Sequence, residues 1–157
     1  MMDLQEISDR LELQRLTHLY CDAIDSGNFD GLDDVFTSDS QLDYVDAGGI
    51  KGSLPEVKAW LRKALAMFGP AHHFVTNQLF EIDGDTATGK SMCWNPMGWP
   101  LATPDQDTRS VMFFAVWYFD RYVRTSDGWR ITDRREQPSL HYNLPDRGMP
   151  DWSGEQA

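Results

Sequence analysis

Apolar residues recur at helical spacing near the start of the chain, over residues 4–26. Asp3 precedes this stretch and can cap the free N–H groups of a first helical turn. Gly27 follows it and accepts the left-handed backbone that often ends a helix. The pattern therefore predicts one long amphipathic helix, whose apolar positions are Ile7, Leu11, Leu13, Leu16, Tyr20, Ala23 and Ile24.

A second helical pattern begins at Ser53 and ends at Gly69–Pro70. Ser53 and Glu56 have the spacing of a capping box, and Pro55 lies in the first turn, where a missing N–H is tolerated. Between the two helices, the stretch FDGLDDVFTSD predicts a short helix that ends near Phe36. The following stretch, SQLDYVD, predicts a short strand.

After this second helix the pattern changes from helical to strand-like. We predict three or four strands, at about residues 72–82, 86–95, 109–125 and 129–136. The sequences DGD and SDG separate two pairs of them and are typical of hairpin turns. The bulky run SVMFFAVWYFDRYVR predicts a central strand. Residues 95–107 are rich in proline and predict a long loop, and residues 137–157 predict a loop-like C-terminal tail.

Helices followed by a run of antiparallel strands are typical of an α+β fold. The chain has 157 residues, a length at which a single domain buries its own core, so we expect one domain over residues 1–157. The helices must cover one face of a curved sheet. The many aromatic residues favour a cavity between the helices and the sheet.

The charge and the cysteine content disfavour several classes of partner. A net charge of −11 argues against nucleic acid and anionic membrane surfaces, since both are bound through clustered lysines and arginines. Two cysteines with no CxxC spacing are too few for a disulfide framework. The N-terminus lacks the basic and apolar regions of a signal peptide, and no stretch reaches membrane-spanning length. We therefore expect a cytoplasmic protein that binds neither nucleic acid nor membrane.

Acid–base side chains are the candidates that remain for chemistry. The sequence has no phosphate-binding loop, dinucleotide fingerprint, HExxH or GxSxG motif, and its four histidines lack the spacing of metal ligands. We therefore expect neither a cofactor nor a metal. Tyr20 and Asp25 are about 140° apart around the first helix, so both reach one cavity only if Asp25 sits at the frayed helix end.

Two adjacent histidines open the first predicted strand of the sheet. Because side chains alternate between faces, His73 shares a face with Val75 and Asn77, whereas His72 lies on the other face. Alternation alone does not decide which face is the inner one. On the last strand it predicts one face with Arg130, Thr132 and Arg134, and another with Ile131, Asp133 and Arg135.

Three stretches together resemble the SnoaL-like branch of the nuclear-transport-factor-2-like superfamily: ISDRLELQRLTHLYCDAIDSGNFDGLDDVFTSDSQLDY, HHFVTNQLFEIDGDTATGKS and YFDRYVRTSDGWRITDRRE. The resemblance covers most of residues 5–136. It implies a cone-shaped α+β barrel, in which a strongly curved sheet, antiparallel or mixed, wraps around the N-terminal helices and encloses a deep pocket. Members are commonly dimers or trimers built through the outer sheet face, so we expect a homo-oligomer.

The resemblance also implies a catalytic site. Enzymes of the superfamily pair an aspartate at the end of the first helix with a histidine on a later strand, and Asp25 and His73 match them with the same separation of 48 residues. The matching tyrosine is Tyr20, five residues before the aspartate. The matching arginine on the last strand is Arg134, or Arg135 if the alignment shifts by one residue. A second acid that one of these enzymes has mid-chain has no clear equivalent, since this stretch reads CWNPMGW.

Each of these residues has an expected role. Asp25 orients His73, which removes a carbon-bound proton. Tyr20 donates to the leaving hydroxyl or to an enolate oxygen, and Arg134 stabilises the developing negative charge. His72 points away from the cavity. Further candidates for the pocket lining are Val75, Asn77, Trp94 and Trp117.

These groups predict a cofactor-independent lyase, in the first place a dehydratase, whose substrate is a small apolar or polycyclic molecule. A polyketide cyclase or a ketosteroid-type isomerase can use the same groups. A non-catalytic domain that binds a small hydrophobic molecule is a third alternative, because a fold does not by itself determine function. Since a pure binder has little need of an acid–base pair, the sequence favours an enzyme.

Overall fold

The computed structural model describes residues 2–68, 70–100 and 109–142, without the side chains of residues 67, 99, 100, 109 and 110. In this part of the chain, short 3₁₀ turns connect two helices and six strands. None of the described helices is long and apolar enough to cross a membrane. The elements are α1 (Leu4–Asp25), β1 (Phe36–Asp43), β2 (Lys51–Ser53), α2 (Leu54–Ala64), β3 (Phe74–Asp83), β4 (Thr86–Pro100), β5 (Arg109–Thr125) and β6 (Gly128–Tyr142), with 3₁₀ turns at Phe29–Asp34, Val45–Ala47 and Leu65–Met67.

Helix α1 begins and ends almost where the sequence predicts. The Asp3 carboxylate accepts a hydrogen bond of 2.8 Å from the backbone N–H of Glu6, which caps the first turn. Gly27 follows the last turn with a φ of 71°, the left-handed backbone expected of it. The helix buries Tyr20 against the sheet and leaves Asp25 as its last residue.

Helix α2 is fixed at its start by the predicted capping box. The backbone N–H of Ser53 donates to the Glu56 carboxylate at 2.8 Å. Later in the helix, the Lys58 ammonium lies 2.9 Å from the Asp33 carboxylate and so joins α2 to the 3₁₀ turn after α1. The short helix predicted before Phe36 is this 3₁₀ turn.

The six strands form one mixed sheet in the order β2-β1-β6-β5-β4-β3. Strands β1 and β6 run parallel, whereas the other neighbouring pairs run antiparallel. Strand β5 lies between β4 and β6, so the bulky run does form a central strand. Because α1 packs against β3 and β6, and α2 against β1, the architecture is the predicted α+β one, with a sheet that is not closed.

Two predicted loop regions are partly strand. Strand β4 continues through residues 95–100, where we predicted a loop, because its backbone pairs with β5 as far as Pro100. Strand β6 continues through residues 137–142, where we predicted a tail, because it also pairs with β5. Pro138 lies where the β5–β6 register shifts, a position that tolerates a missing N–H. The rest of the predicted loop and of the tail lies outside the described residues.

An irregularity in β3 changes which of its side chains face the core. The β3–β4 register shifts between Thr76 and Leu79, and Asn77 has a positive φ of 52°. Asparagine adopts this backbone more readily than most residues. The predicted alternation therefore breaks, and Val75 is partly buried while Asn77 and Leu79 are exposed.

A second irregularity lies in β6. Its register with β5 shifts between Arg121 and Tyr122, so that Thr132 is the extra residue between Ile131 and Asp133. As a result Ile131 and Arg134, which are three residues apart, are both buried. The prediction that Ile131 and Arg134 lie on opposite faces is therefore wrong.

A buried carboxylate joins α1 to the β5–β6 hairpin. Asp9 accepts hydrogen bonds from the Arg124 guanidinium at 2.6 and 2.8 Å and from the Trp129 indole N–H at 3.0 Å. The hydrogen bonds from Arg124 hold the pKa of Asp9 well below its usual range, although burial alone would raise it. Asp9 is therefore charged in the folded chain and paired with Arg124.

The substitution Asp9→Asn should lower the free energy of unfolding by about 2–4 kcal/mol, because it removes the charge that Arg124 is paired with. Folding lowers the pKa of Asp9, so the ionised carboxylate stabilises the native chain fully only above about pH 4. The difference in the free energy of unfolding between the native chain and Asp9→Asn should therefore shrink as the pH falls further. Urea unfolding at several pH values measures this difference. Asp22→Asn, at an exposed carboxylate of the same helix, is the control, and equal stability of the two variants at neutral pH would contradict the role of Asp9.

Candidate active site

The end of α1 and the start of β3 bring Asp25 and His73 together. The His73 Nδ1 lies 2.5 Å from Asp25 Oδ1, and the backbone N–H of His73 donates to Asp25 Oδ2 at 2.9 Å. One carboxylate thus holds both the ring and the main chain of the histidine. The His73 side chain is 7% exposed, whereas His72 is exposed.

The second ring nitrogen of His73 faces Asn95 on β4. The Asn95 amide nitrogen lies 3.0 Å from His73 Nε2. Because a carboxylate only accepts hydrogen bonds, Nδ1 carries the proton toward Asp25 and Nε2 keeps its lone pair, to which the amide donates. This is the tautomer that a general base needs. Asn95 is not among the residues predicted from the sequence, although it lies in the CWNPMGW stretch.

The charge of Asp25 is stabilised by the histidine it orients. Partial burial raises the pKa of Asp25, but the hydrogen bonds from the ring and the backbone N–H of His73 outweigh it and hold the pKa below its usual value. A negative charge at the end of a helix is otherwise unfavourable, because the helix dipole is negative there. The hydrogen bonds from His73 therefore offset the unfavourable interaction between the Asp25 carboxylate and the helix dipole.

A cavity of about 70 Å³ lies between α1, α2 and the sheet. That volume holds a few water molecules and is well below the roughly 300 Å³ of the smallest typical ligand pockets. Its walls are mixed. The polar side chains that line it are Tyr20, Tyr44, His73, Asn95 and Glu136, and the apolar ones are Ile24, Ala47, Trp60, Leu61, Leu65, Met97 and Phe114.

Two tyrosine hydroxyls meet inside the cavity. The hydroxyls of Tyr20 and Tyr44 are 3.2 Å apart, and that of Tyr20 is 3.5 Å from Glu136 Oε1. The Tyr20 ring packs edge-on against His73, with 6.3 Å between ring centroids. Burial raises the pKa of both phenols, and the neighbouring phenol and the Glu136 carboxylate raise that of Tyr20 further. Both tyrosines are therefore neutral hydrogen-bond donors.

The structure places Arg134, and not Arg135, inside the fold. Arg134 donates two hydrogen bonds to the Asp120 carboxylate, at 2.7 and 2.8 Å, and both side chains are buried. The guanidinium carbon lies 4.1 Å from the ring centroid of Tyr20, so the Tyr20 ring separates Arg134 from the cavity. Arg135 is exposed and pairs with Asp46 at 2.6 Å. Arg134 thus acts on the cavity through Tyr20 and not by direct contact.

Glu136 is an acid of the cavity that the sequence analysis missed. Its carboxyl group lies beside the Tyr20 hydroxyl. Burial raises the pKa of Glu136 to about 7, and the Asp120 charge adds to this effect while Arg134 opposes it. Glu136 follows Arg134 by two residues, so strand alternation from Arg134 could have found it.

None of the four residues predicted for the pocket lining is in the cavity. Asn77 is exposed because of the irregularity in β3. Trp94 is 37% exposed and stacks on Phe113, with 5.4 Å between centroids. Trp117 lies under the Lys90 ammonium, 4.1 Å from its ring centroid. The fourth, Val75, packs against the core but does not line the cavity.

The chain belongs to the SnoaL-like domain family, whose match extends over residues 5–135. A relative of similar length is the uncharacterized protein Rv2910c of Mycobacterium tuberculosis. It is 45% identical over 136 residues, which cover 87% of this chain and 89% of that protein.

Solved structures have the same fold. The Kfla4162 protein of Kribbella flavida has a TM-score of 0.76 at 28% identity, over 87% of this chain and 94% of that one. A candidate scytalone dehydratase from Novosphingobium aromaticivorans has a TM-score of 0.75 at 15% identity, over 88% and 89% of the two chains. A hexachlorocyclohexane dehydrochlorinase, LinA type 2, has a TM-score of 0.75 at 18% identity, over 92% and 95%. The predicted superfamily and its α+β fold are confirmed, and its members among these neighbours include lyases.

The role of Arg134 gives a stability prediction. Arg134→Met should lower the free energy of unfolding by about 3–5 kcal/mol, because it leaves the Asp120 carboxylate buried without its partner. Arg135→Met is the matched control and should cost under about 1 kcal/mol, since its ion pair is exposed.

Guanidinium chloride unfolding of both variants measures this difference. If Arg134→Met does not fold, the double variant Arg134→Met/Asp120→Leu should fold, because it removes both buried charges. A single Arg134→Met chain as stable as the control would show that the buried pair has no structural role.

Proposed function

We propose that this protein is a cofactor-independent lyase, in which His73 removes a carbon-bound proton and a leaving group departs from the adjacent carbon. The observation that carries the proposal is the placement of His73, whose ring lines the cavity while its Nδ1 is held by Asp25 and its Nε2 lies beside Asn95. An imidazole in this tautomer has the lone pair on Nε2 that a general base needs. Proton abstraction by such a base requires no cofactor.

Asp25 has two functions in this reaction. Its contact with Nδ1 keeps the lone pair on Nε2, and its negative charge stabilises the imidazolium that forms when the proton is taken up. The amide of Asn95 donates a hydrogen bond to this lone pair. A substrate C–H group therefore takes the place of the Asn95 amide before the proton is transferred.

The two tyrosines stabilise the negative charge that develops on the substrate. A carbonyl oxygen that accepts hydrogen bonds from Tyr20 and Tyr44 becomes an enolate oxygen when the neighbouring C–H is deprotonated, and such bonds strengthen as the charge develops. The Arg134 guanidinium lies against the Tyr20 ring and favours its anionic form. Arg134 thereby makes Tyr20 a stronger hydrogen-bond donor.

The cavity favours a small substrate over a polycyclic one. About 70 Å³ is available in this conformation, and a polycyclic molecule would require the walls to move apart. The walls are mostly apolar, and none of the described lining residues is a lysine or arginine that could bind an anionic group. A small, uncharged carbonyl compound with a leaving group on the β carbon fits these conditions.

Substitution of the base tests the proposal. With 4-hydroxybutan-2-one as the probe in D₂O, the native chain should exchange the hydrogens next to the carbonyl and release water. His73→Ala and Asp25→Asn should lower both rates by about 1,000-fold, the contribution of a positioned general base. His72→Ala is the matched control and should keep the native rates, since His72 is exposed.

Proton NMR follows exchange and product together, and circular dichroism checks that each variant is folded. Full activity of His73→Ala would contradict the proposal. A product of unchanged composition, with deuterium at a new carbon, would indicate an isomerase in place of a dehydratase.

The outer face of the sheet is the expected contact between subunits. Large apolar side chains are exposed there, and Leu79 is 70% and Phe119 37% exposed. We propose that a second copy of this chain covers them. Sedimentation velocity should show a dimer or trimer for the native chain and a monomer for Leu79→Lys. A native chain that is monomeric at all concentrations would contradict this expectation.

A further inference from the structure

We propose that Glu136 is the acid of this site and protonates a departing hydroxyl group, so that the reaction releases water and not halide. This inference rests on the proposed role of His73 as the base. It adds a catalytic residue beside the Tyr20 phenol, and it selects one class of substrate, the β-hydroxy carbonyl compounds.

The placement of Glu136 is the first part of the argument. Its carboxyl group lies in the same cavity as His73 and is 3.5 Å from the Tyr20 hydroxyl. Tyr20 is in turn 3.2 Å from Tyr44 and packs edge-on against the His73 ring. A ligand that reaches the His73 base therefore also reaches the phenols and the Glu136 carboxyl group.

The charge of Glu136 is only partly compensated, because Arg134 acts on it from a distance and not through a salt bridge. Within the described part of the chain, no lysine, arginine or histidine forms an ion pair with it. The nearby guanidinium of Arg134 is paired with Asp120 instead. A carboxyl group withdrawn from water without a salt bridge favours its protonated form.

The surroundings of Glu136 raise the pKa of its carboxyl group, so that the group can donate a proton near neutral pH. Its pKa is raised to about 7, because the effects of burial and of the Asp120 charge outweigh those of Arg134 and the Tyr20 hydroxyl, which lower it. An acid with such a pKa both holds and releases a proton at neutral pH. The titratable groups that act on it are Tyr20 of α1, Tyr44 after β1, Cys93 of β4, Tyr118 and Asp120 of β5, and Arg134 of β6.

The step balances without a further reactant. His73 takes the proton from the carbon next to the carbonyl, and the electron pair of that C–H bond forms the new C=C bond. The C–O bond at the neighbouring carbon breaks with its electron pair on oxygen, and the Glu136 proton joins this oxygen, which leaves as water. The His73 imidazolium then returns its proton to the Glu136 carboxylate through water, and both residues regain their starting states.

The acid decides between the two kinds of lyase found among the structural neighbours. A hydroxyl group leaves readily only when it is protonated, whereas a chloride leaves as a stable anion that needs no proton. A carboxyl group at the leaving-group position serves the first reaction and has no part in the second. In addition, no lysine or arginine lines the described cavity to receive a halide ion.

Two probes with the same carbon skeleton separate the roles of base and acid. With 4-hydroxybutan-2-one, Glu136→Gln should lose water elimination by about 100-fold or more but keep the deuterium exchange next to the carbonyl. With 4-chlorobutan-2-one, which needs no acid, Glu136→Gln should release chloride at a rate close to the native one. His73→Ala should lose all three reactions.

The outcomes distinguish the two proposals. Water elimination at the native rate in Glu136→Gln would overturn the role of Glu136 and leave that of His73 intact. Exchange at the native rate in His73→Ala, together with lost water elimination in Glu136→Gln, would overturn the base and keep the acid. In the native chain, water elimination should fall as the pH rises through about 7, and this fall should be missing in Glu136→Gln.

A titration gives a readout that does not depend on any probe. In the chain labelled with ¹³C at the glutamate carboxyl carbons, the resonance that disappears in Glu136→Gln belongs to Glu136. Its midpoint should lie near 7. A midpoint in the ordinary glutamate range, about 4.3, would mean that the group is ionised at neutral pH and would overturn the proposal.

Discussion

The buried ion pair between Arg134 and Asp120 is the interaction on which the rest of the site depends. Neither side chain is more than 1% exposed, so each charge requires the other. The pair joins β5 to β6, and Tyr122 adds a hydrogen bond of 3.0 Å to Asp120. Because the guanidinium packs against the rings of both Tyr20 of α1 and Tyr118 of β5, it also helps to hold α1 on the sheet. The position of Tyr20 in turn fixes the direction in which the last turn of α1 presents its acid.

Much of the fold could be predicted because its signals are local. The caps at Asp3 and Ser53 and the change from helical to alternating spacing give the helices and most strands within a few residues. The irregularities at Asn77 and Thr132 were not predictable in this way, since they arise from pairing between strands that are distant in sequence. The extension of β6 past Pro138 has the same origin, because β5 pairs with it on both sides of a register shift.

The candidate site was predictable where one residue follows another at a characteristic separation. The resemblance brought Asp25 and His73 together, and helix geometry explained how Tyr20 and Asp25 could share a cavity. Neither the resemblance nor helix geometry could show that Tyr20 separates Arg134 from the cavity, because that depends on the three-dimensional packing of β5, β6 and α1. The proline-rich sequence around Asn95 predicts a loop, whereas the residue lies within β4. The alternating pattern places Glu136 at the end of the last predicted strand, whereas β6 continues beyond it.

Asn95 gives the site a property that a charged residue in its place would lack. Its amide presents a donor and an acceptor from one position, and in the described structure its Oδ1 is buried without a hydrogen-bond partner. Beside a neutral imidazole the amide nitrogen donates to Nε2 of His73. Once that nitrogen carries a proton, a half-turn of the amide brings Oδ1 to it as an acceptor. Asp25 already supplies the opposite charge. Rotation of the Asn95 side chain is therefore the one change that a protonated His73 ring requires, and neither a backbone movement nor an ion from solvent is needed.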